Sequence, residues 1–313
     1  MKGKILATPR SFAKDDDRPL RMLEDAGYAV VRNPVGQILT KEQMTEHLQG
    51  CVGVILGVDP MDADVIASAE GLRVISKYGV GTDNIDMEAA QSRGITVCVT
   101  AGANTDAVAD YAFALMMAAA RRVIPIDRAC HNRDWSKQSA LDVYGARLGI
   151  IGFGAIGRGV AARGAAGFNM RVLAHDTVWD APFAAKYGVT RATPDEIYKT
   201  CDFISLHLPL TDKTRGMVSH RQFEMMKPTA VLVNTARGGV VDETALVDAL
   251  RRKLIYGAGL DVFEQEPPEL EPLYGLDNLV MGSHTAASTT GATRNMGIMA
   301  AQNIIQTLED NAL

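Results

Sequence analysis

The sequence contains no C-x-x-C pair and no histidine at zinc-ligand spacing from a cysteine. Its four cysteines, Cys51, Cys98, Cys130 and Cys201, lie far apart. This excludes a zinc ribbon or a thioredoxin-type motif and reads as free thiols in a reducing compartment, with no metal expected. No apolar run approaches the ~20 residues needed to cross a bilayer, and the longest, over 111–120, reaches about half of that. The opening stretch, MKGKILATPR, holds too short an apolar run for a secretory signal. A cytoplasmic protein without a membrane partner is therefore expected. Positive charge is not in excess either: 32 Lys and Arg stand against 37 Asp and Glu, for a net −5 and a pI near 5.7. Proteins that grip phosphate backbones usually carry a basic patch, so no nucleic-acid partner is expected. A small anionic substrate remains compatible, because a few local cations and backbone N–H groups suffice for one. There is no internal repeat and no low-complexity tract, and the acidic run over 15–17 reads as a solvated loop.

What is present is the composition of an ordinary globular protein, with 47% hydrophobic and 22% charged residues, over a length that suits two domains. Short β-rich runs alternate with helical patterns. Strands are expected over 4–8, 28–32, 52–57, 73–77 and 95–99, with helices over 20–26, 41–48, 63–69 and 87–93 between them. Gly27, Gly50, Gly71 and Gly94 stand where each helix should stop. A second series predicts strands over 148–152, 171–176, 203–207, 230–234, 257–262 and 279–281. Alternation of this kind implies parallel sheets covered by helices, and six strands match a doubly wound dinucleotide domain. The expected fold is α/β, with two Rossmann-like doubly wound parallel-sheet domains and a cleft between them. Residues 1–102 plus 287–313 form the expected substrate-binding domain and 103–286 the dinucleotide-binding Rossmann domain. Asn104 is placed to cap a helix from Thr105 to about Arg121 that is apolar nearly all round, hence buried in a core or at a subunit interface. A last helix over 289–310 should return to the first domain, so that two crossings form a hinge.

The sharpest motif is Gly152-Phe153-Gly154-Ala155-Ile156-Gly157, between the apolar run LGII and a helical pattern. Gly152 permits the tight turn, Gly154 lets backbone approach a pyrophosphate, and Gly157 allows helix and strand to pack closely. The helix N-terminus offers unpaired N–H groups to the phosphates. Asp176, ending the next strand, suits the ribose hydroxyls and repels a 2′-phosphate. With Thr177, Val178 and Trp179 following it, NAD is favoured over NADP. Without strand, helix and acid in register, such a glycine turn would say little.

Ligands of open α/β sheets lie beyond the carboxyl ends of the strands. Arg237, Glu266 and His284 each follow such an end. Singly they read as a surface arginine, a loop glutamate and a loop histidine, and the other five histidines carry no stronger reading. Together they match a chemistry. A guanidinium grips a 2-oxo acid's carboxylate, a histidine moves the proton at the C2 oxygen, and a carboxylate beside it favours its protonated form.

From about residue 52 to 288 the chain resembles the D-isomer-specific 2-hydroxyacid dehydrogenases, the family that includes D-3-phosphoglycerate dehydrogenase. The matching blocks are KYGVGTDNID (77–86), the helix containing VADYAFALMMAAAR, GFGAIGR (152–158), DFISLHLPLTDKT (202–214), NTARGGVVDE (234–243), LDVFEQEPP (260–268) and SHTAAST (283–289). The resemblance implies catalytic roles for Arg237, Glu266 and His284, and substrate-carboxylate binding by backbone around Tyr78, Val80 and Gly81. It also implies that Thr105, His207, Pro209, Thr214, Ala236 and Asp261 line the nicotinamide and ribose side, and that the protein is a homodimer built partly on the long apolar helix. SHTAAST lacks the proline before His284, and the glycines after it, that many relatives have. Where phosphoglycerate-specific relatives carry phosphate-binding arginines, this chain has Leu56, Lys77 and Lys137. Lysine keeps the charge but not the planar fork, which leaves a phosphorylated substrate open. Ending at Leu313, the chain is expected to lack the regulatory C-terminal domain of some phosphoglycerate dehydrogenases. The leading expectation is an NAD-dependent, phosphoglycerate-dehydrogenase-like enzyme. The alternatives are a glyoxylate/hydroxypyruvate reductase, a nucleotide-sensing corepressor-like protein, or an oxidoreductase for another small anion such as formate or phosphite.

Overall fold

The computed structural model describes residues 2–310, and the chain divides into two compact units. One runs as far as Asn104 and resumes at Ser288, and the other is Thr105–Ala287. In the first, β1 (Gly3–Ala7), α1 (Arg18–Asp25), β2 (Tyr28–Arg32), α2 (Lys41–His47), β3 (Cys51–Leu56), α3 (Ala63–Ser68), β4 (Val74–Lys77), α4 (Met87–Ser92) and β5 (Thr96–Val99) alternate. The interior strand β3 is mostly Val, Ile and Leu, and all four residues of β4 are buried, as a parallel sheet covered on both faces requires. Side chains set the helix starts. Thr40 and Gln43 form a reciprocal capping box, Asp62 accepts from Val65 N at 3.1 Å, and Asp86 accepts from Ala89 N at 2.8 Å. The four glycines expected as stops all have positive φ, between 67° and 93°. The parallel order β2-β1-β3-β4-β5 reverses direction between β1 and β3.

The second unit holds α5 (Thr105–Ala120), α6 (Val123–His131), β6 (Arg147–Ile151), α7 (Ala155–Phe168), β7 (Arg171–His175), α8 (Ala181–Tyr187), β8 (Thr190–Arg191), α9 (Pro194–Thr200), β9 (Phe203–Leu206), α10 (His220–Met225), β10 (Val231–Asn234), α11 (Glu243–Arg251), β11 (Gly257–Leu260) and β12 (Leu279–Met281). Its parallel sheet runs β12-β11-β10-β9-β6-β7-β8. Counted from β6, this is the dinucleotide-binding order 3-2-1-4-5-6 with one strand added at the far edge. The expected count of six is thus corrected to seven. The missed strand is β8, two exposed residues without an apolar run, paired to β7 at Leu173 and Ala174.

Neighbouring residues of each strand feed opposite faces. Ile151, Ile204 and Leu232 enter one core of the second unit, while Ile150, Phe203 and Val233 enter the other. The apolarity of α5 is taken up inside this unit, against α7, β10 and β11. Among α5 residues only Asp106, Asp110 and Ala114 are exposed, and both acids pair with Arg163 of α7, at 3.0 and 2.7 Å. The cap expected from Asn104 does not form, because its Oδ1 is buried and has no hydrogen-bond partner among the described residues.

The chain then returns to the first unit as α12 (Thr290–Asp310), which packs on α1, β3 and β4. Ala300, Ala301, Ile304 and Leu308 complete the core formed by Ile5, Ile55 and Val74. A Cβ at Gly53 of β3 would lie 3.1 Å from Ile304 Cδ1, so α12 rests directly on the sheet.

Candidate active site

Gly152 has φ 98°, and a Cβ there would strike the carbonyl of His207. A Cβ on Gly157 would strike the Gly152 carbonyl and lie 3.1 Å from Ile150 Cγ2, so these two glycines are demanded by the turn and by packing. Gly154 differs. It is the N-cap of α7 and contributes no side-chain cap, the first turn carries no acid, and the space above a hypothetical Cβ is empty to 4 Å. A long helix therefore ends in unsatisfied N–H groups beneath an open cradle, with Ala155 exposed and Ile156 half-buried at its rim. These features fit a pyrophosphate. Asp176 closes the turn from the next strand, its Oδ2 accepting from Phe153 N at 2.6 Å and its Oδ1 from Val178 N at 3.1 Å. The carboxylate is thus fixed in place and retains lone pairs for ribose hydroxyls.

A cation missed by the sequence reading lies beside it. Arg191, on β8, donates to the Asp176 carbonyl at 3.3 Å and lies over the Trp179 ring at 5.5 Å. It stands fifteen residues beyond Asp176, on a strand without a hydrophobic signature, which hid it.

At the carboxyl edge of the same sheet, His284 Nδ1 lies 2.8 Å from Glu266 Oε2. Both are part-exposed. Glu266 Oε1 accepts from Phe263 N at 3.1 Å, which turns the loop after β11 back on itself. Burial pushes the Glu266 carboxyl up, but the His284 bond and charge, the Phe263 N–H and the Arg237 charge outweigh it, and the carboxyl lies below its ordinary value. Arg237 follows β10 in a half-buried turn, its Nη1 donating to the Ala236 carbonyl at 2.6 Å. Asn234 secures this turn, donating to the Arg237 carbonyl at 2.8 Å and accepting from Ala236 N at 3.0 Å.

Asp261, only 1% exposed, anchors the histidine segment. Its backbone carbonyl accepts from His284 N at 2.7 Å, while its carboxylate accepts from Thr285 N at 2.9 Å and Ala286 N at 2.8 Å. Burial raises its carboxyl above the ordinary value, against the lowering effect of those two N–H groups. No motif spacing signals this anchoring role. His207, at the end of β9, pairs through Nε2 with Ser205 Oγ at 2.8 Å. Its Nδ1 is buried without a partner among the described residues, and burial pushes the imidazole down to about 3, so it is neutral. Thr214 stitches the following loop, donating to the Pro209 carbonyl at 2.6 Å and accepting from Thr211 N at 2.8 Å. Ala236 is buried beside Arg237, and Thr105 begins α5 half-buried.

The expected substrate residues of the first unit follow β4. Lys77 is buried, its ammonium donating to the Gly57 carbonyl and, at 2.7 Å, to Asn84 Oδ1. Tyr78 donates to the Thr293 carbonyl at 2.6 Å. Gly79 accepts from Thr100 N at 2.9 Å and donates to Thr100 Oγ1 at 2.8 Å, with Val80 exposed and Gly81 half-buried beyond it. Lys137 belongs to the second unit and is exposed, in the segment between α6 and β6.

A dinucleotide-binding sheet order, an open glycine cradle under a helix end and a histidine–carboxylate pair at the same sheet edge define a nucleotide-dependent oxidoreductase. Residues 113–286 match the family model of the D-isomer specific 2-hydroxyacid dehydrogenase NAD binding domain. A glyoxylate reductase of Korarchaeum cryptofilum is 44% identical over 274 residues, covering 85% of this chain and 82% of that protein. A D-3-phosphoglycerate dehydrogenase of Methanocaldococcus jannaschii is 39% identical over 293 residues, 92% of this chain but only 55% of that protein. Among solved structures, the TT0316 protein of Thermus thermophilus superposes with a TM-score of 0.88 at 37% identity, covering 98% of this chain and 97% of that one. The chain belongs to the D-isomer specific 2-hydroxyacid dehydrogenases, NAD-dependent oxidoreductases that act on the CH–OH group of 2-hydroxy acids.

Proposed function

We propose that this enzyme reduces a small unphosphorylated 2-oxo acid, of the glyoxylate or hydroxypyruvate kind, with NADH as the preferred reductant. The observation that carries the choice of substrate is Lys77. A phosphate needs a cation that is not already engaged, and this ammonium is buried and held by Gly57 and Asn84, which leaves Lys137, exposed, as the single cation of the two lysine positions. The glyoxylate reductase of K. cryptofilum, matched over most of its length, points the same way.

Gly154, the start of α7 and Asp176 would hold the cofactor, which would supply hydride in reduction and take it up in oxidation. Arg237 grips the substrate carboxylate through its planar fork. His284 delivers a proton to the C2 oxygen in reduction and removes it in oxidation. Glu266, whose carboxyl is held below its ordinary value by His284, the Phe263 N–H and Arg237, orients the imidazole. Asp176 disfavours a 2′-phosphate, while Arg191 provides a counter-charge that permits slower use of NADPH.

The test is initial-rate NADH and NADPH oxidation with glyoxylate, hydroxypyruvate, pyruvate and 3-phosphohydroxypyruvate. The proposal expects the highest kcat/KM with NADH and glyoxylate or hydroxypyruvate. A preference for the phosphorylated acid would replace it with a phosphoglycerate-dehydrogenase reading. NADH binding without turnover on any acid would replace it with a sensor.

A further inference from the structure

The block 234–243 ends in Asp242-Glu243, and the chemistry above uses neither residue. Asp242 has a local task. It caps α11 by accepting from Ala245 N at 3.0 Å, and it also accepts from Ser219 Oγ at 2.8 Å. Glu243, the first residue of α11, is turned inward and only 8% exposed. Its Oε1 accepts from Glu264 N at 2.6 Å.

Glu264 belongs to the loop that carries Glu266. Phe263 N, one residue earlier, holds Glu266 Oε1, and Glu266 Oε2 meets His284. The same loop is pressed against the Arg237 turn. A Cβ at Gly238 would overlap the Phe263 carbonyl and Glu264 N, although the Gly238 backbone lies outside the left-handed region. Glycine is there for room. The Arg237 turn and the Glu266 loop therefore meet at two points, one steric at Gly238 and one polar at Glu243.

We propose that Glu243 is a positioning residue: by accepting the Glu264 N–H it holds the 263–266 loop against the Arg237 turn, in the place from which Glu266 reaches His284. This rests on the reading of Arg237, Glu266 and His284 as the reacting set. Burial pushes the Glu243 carboxyl above its ordinary value. The Glu264 N–H lowers it, and the charges of Glu264, Asp242 and Glu266 raise it again. A carboxyl with so little support for its charge serves by its oxygen acceptor, which glutamine also offers.

The experiment is a double-mutant cycle on the full chain, reading kcat with the best acid of the panel, NADH affinity by fluorescence, and folding by circular dichroism. Glu243→Ala should lower kcat by roughly ten- to a hundredfold, the scale of a small misplacement of a reacting group, with NADH affinity held within about twofold. Glu243→Gln should restore most of that loss. In a Glu266→Gln background, Glu243→Ala should cost nothing further, since the residue it positions has already lost its charge. Unchanged kcat in Glu243→Ala, a Gln variant as damaged as Ala, or additive losses in the cycle would each overturn the proposal. If Glu243→Ala does not fold, Glu243→Met, which fills the space without an acceptor, takes its place in the cycle. A fully active Glu266→Gln would overturn the catalytic assignment itself, and the proposal with it, a result distinct from the other three.

Discussion

His284 holds φ 55°, a conformation that costs a residue with a side chain about 1–2 kcal/mol. Histidine adopts it more readily than bulkier residues, and such outliers concentrate at functional sites. Asp261 maintains it, through one backbone and two carboxylate acceptors. The outcome is an imidazole whose Nδ1 faces Glu266. His284→Ala should lower kcat by roughly 10²–10⁴, the usual worth of a positioned acid–base group. The same variant should move the Glu266 titration, read by carbon NMR on labelled glutamate, upward, because burial persists while the opposing bond is gone. A carboxyl ionising lower in the folded than in the unfolded chain adds stability that is complete above the ordinary carboxylate range and is lost as pH falls through the lowered value. Arg237, Glu266 and His284 are legible in the sequence because each stands just past a strand end. Glu243 and Arg191 show no role there, and Asp261, expected beside the nicotinamide by resemblance, shows no anchoring role, since their bonds go to backbone atoms of segments fifteen or more residues away.

Among the elements, the turn between β6 and α7 separates two kinds of glycine. Gly157 faces packed backbone and Gly154 faces empty space. Gly157→Ala overpacks the turn, at a cost of about 1–3 kcal/mol, and should lower both thermal stability and NADH affinity. Gly154→Ala meets nothing in the protein and should leave the melting temperature unchanged, while its methyl occupies the cradle and weakens NADH binding. Equal effects of the two variants on stability, measured by thermal melts beside fluorescence titrations, would refute the distinction. Strands such as β3, with five apolar residues in six, and β10, whose first three residues are Val, Leu and Val, are legible because apolar, mostly branched runs stand between turn signals. The two-residue β8 gives no such signal, since its pairing depends on β7 being in place beside it. Asn104 was a sound cap by residue type, but propensity does not fix where a side-chain oxygen points.

At the scale of the molecule, each unit has a core on both faces of its sheet, and one core of the first unit is completed by α12. Ile304 is fully buried there, so Ile304→Ala should destabilise the first unit by about 2–5 kcal/mol, as other deletions in well-packed cores do. Urea unfolding of that variant should shift to lower concentration, with NADH affinity, a property of the glycine turn in the second unit, unchanged. A matching loss of NADH affinity would show that the two units do not unfold separately.

The position of α12 also matters while the chain is being made. A ribosome delivers residues in order, and domains generally fold as they emerge. Here β1 to β5 leave the exit tunnel with Ile5, Ile55 and Val74 still lacking the helix that covers them. That helix is translated only after the whole of the second unit. The nascent first unit thus waits through translation of the second with part of one apolar face uncovered, while the nucleotide-binding unit has every strand and both cores before α12 is made.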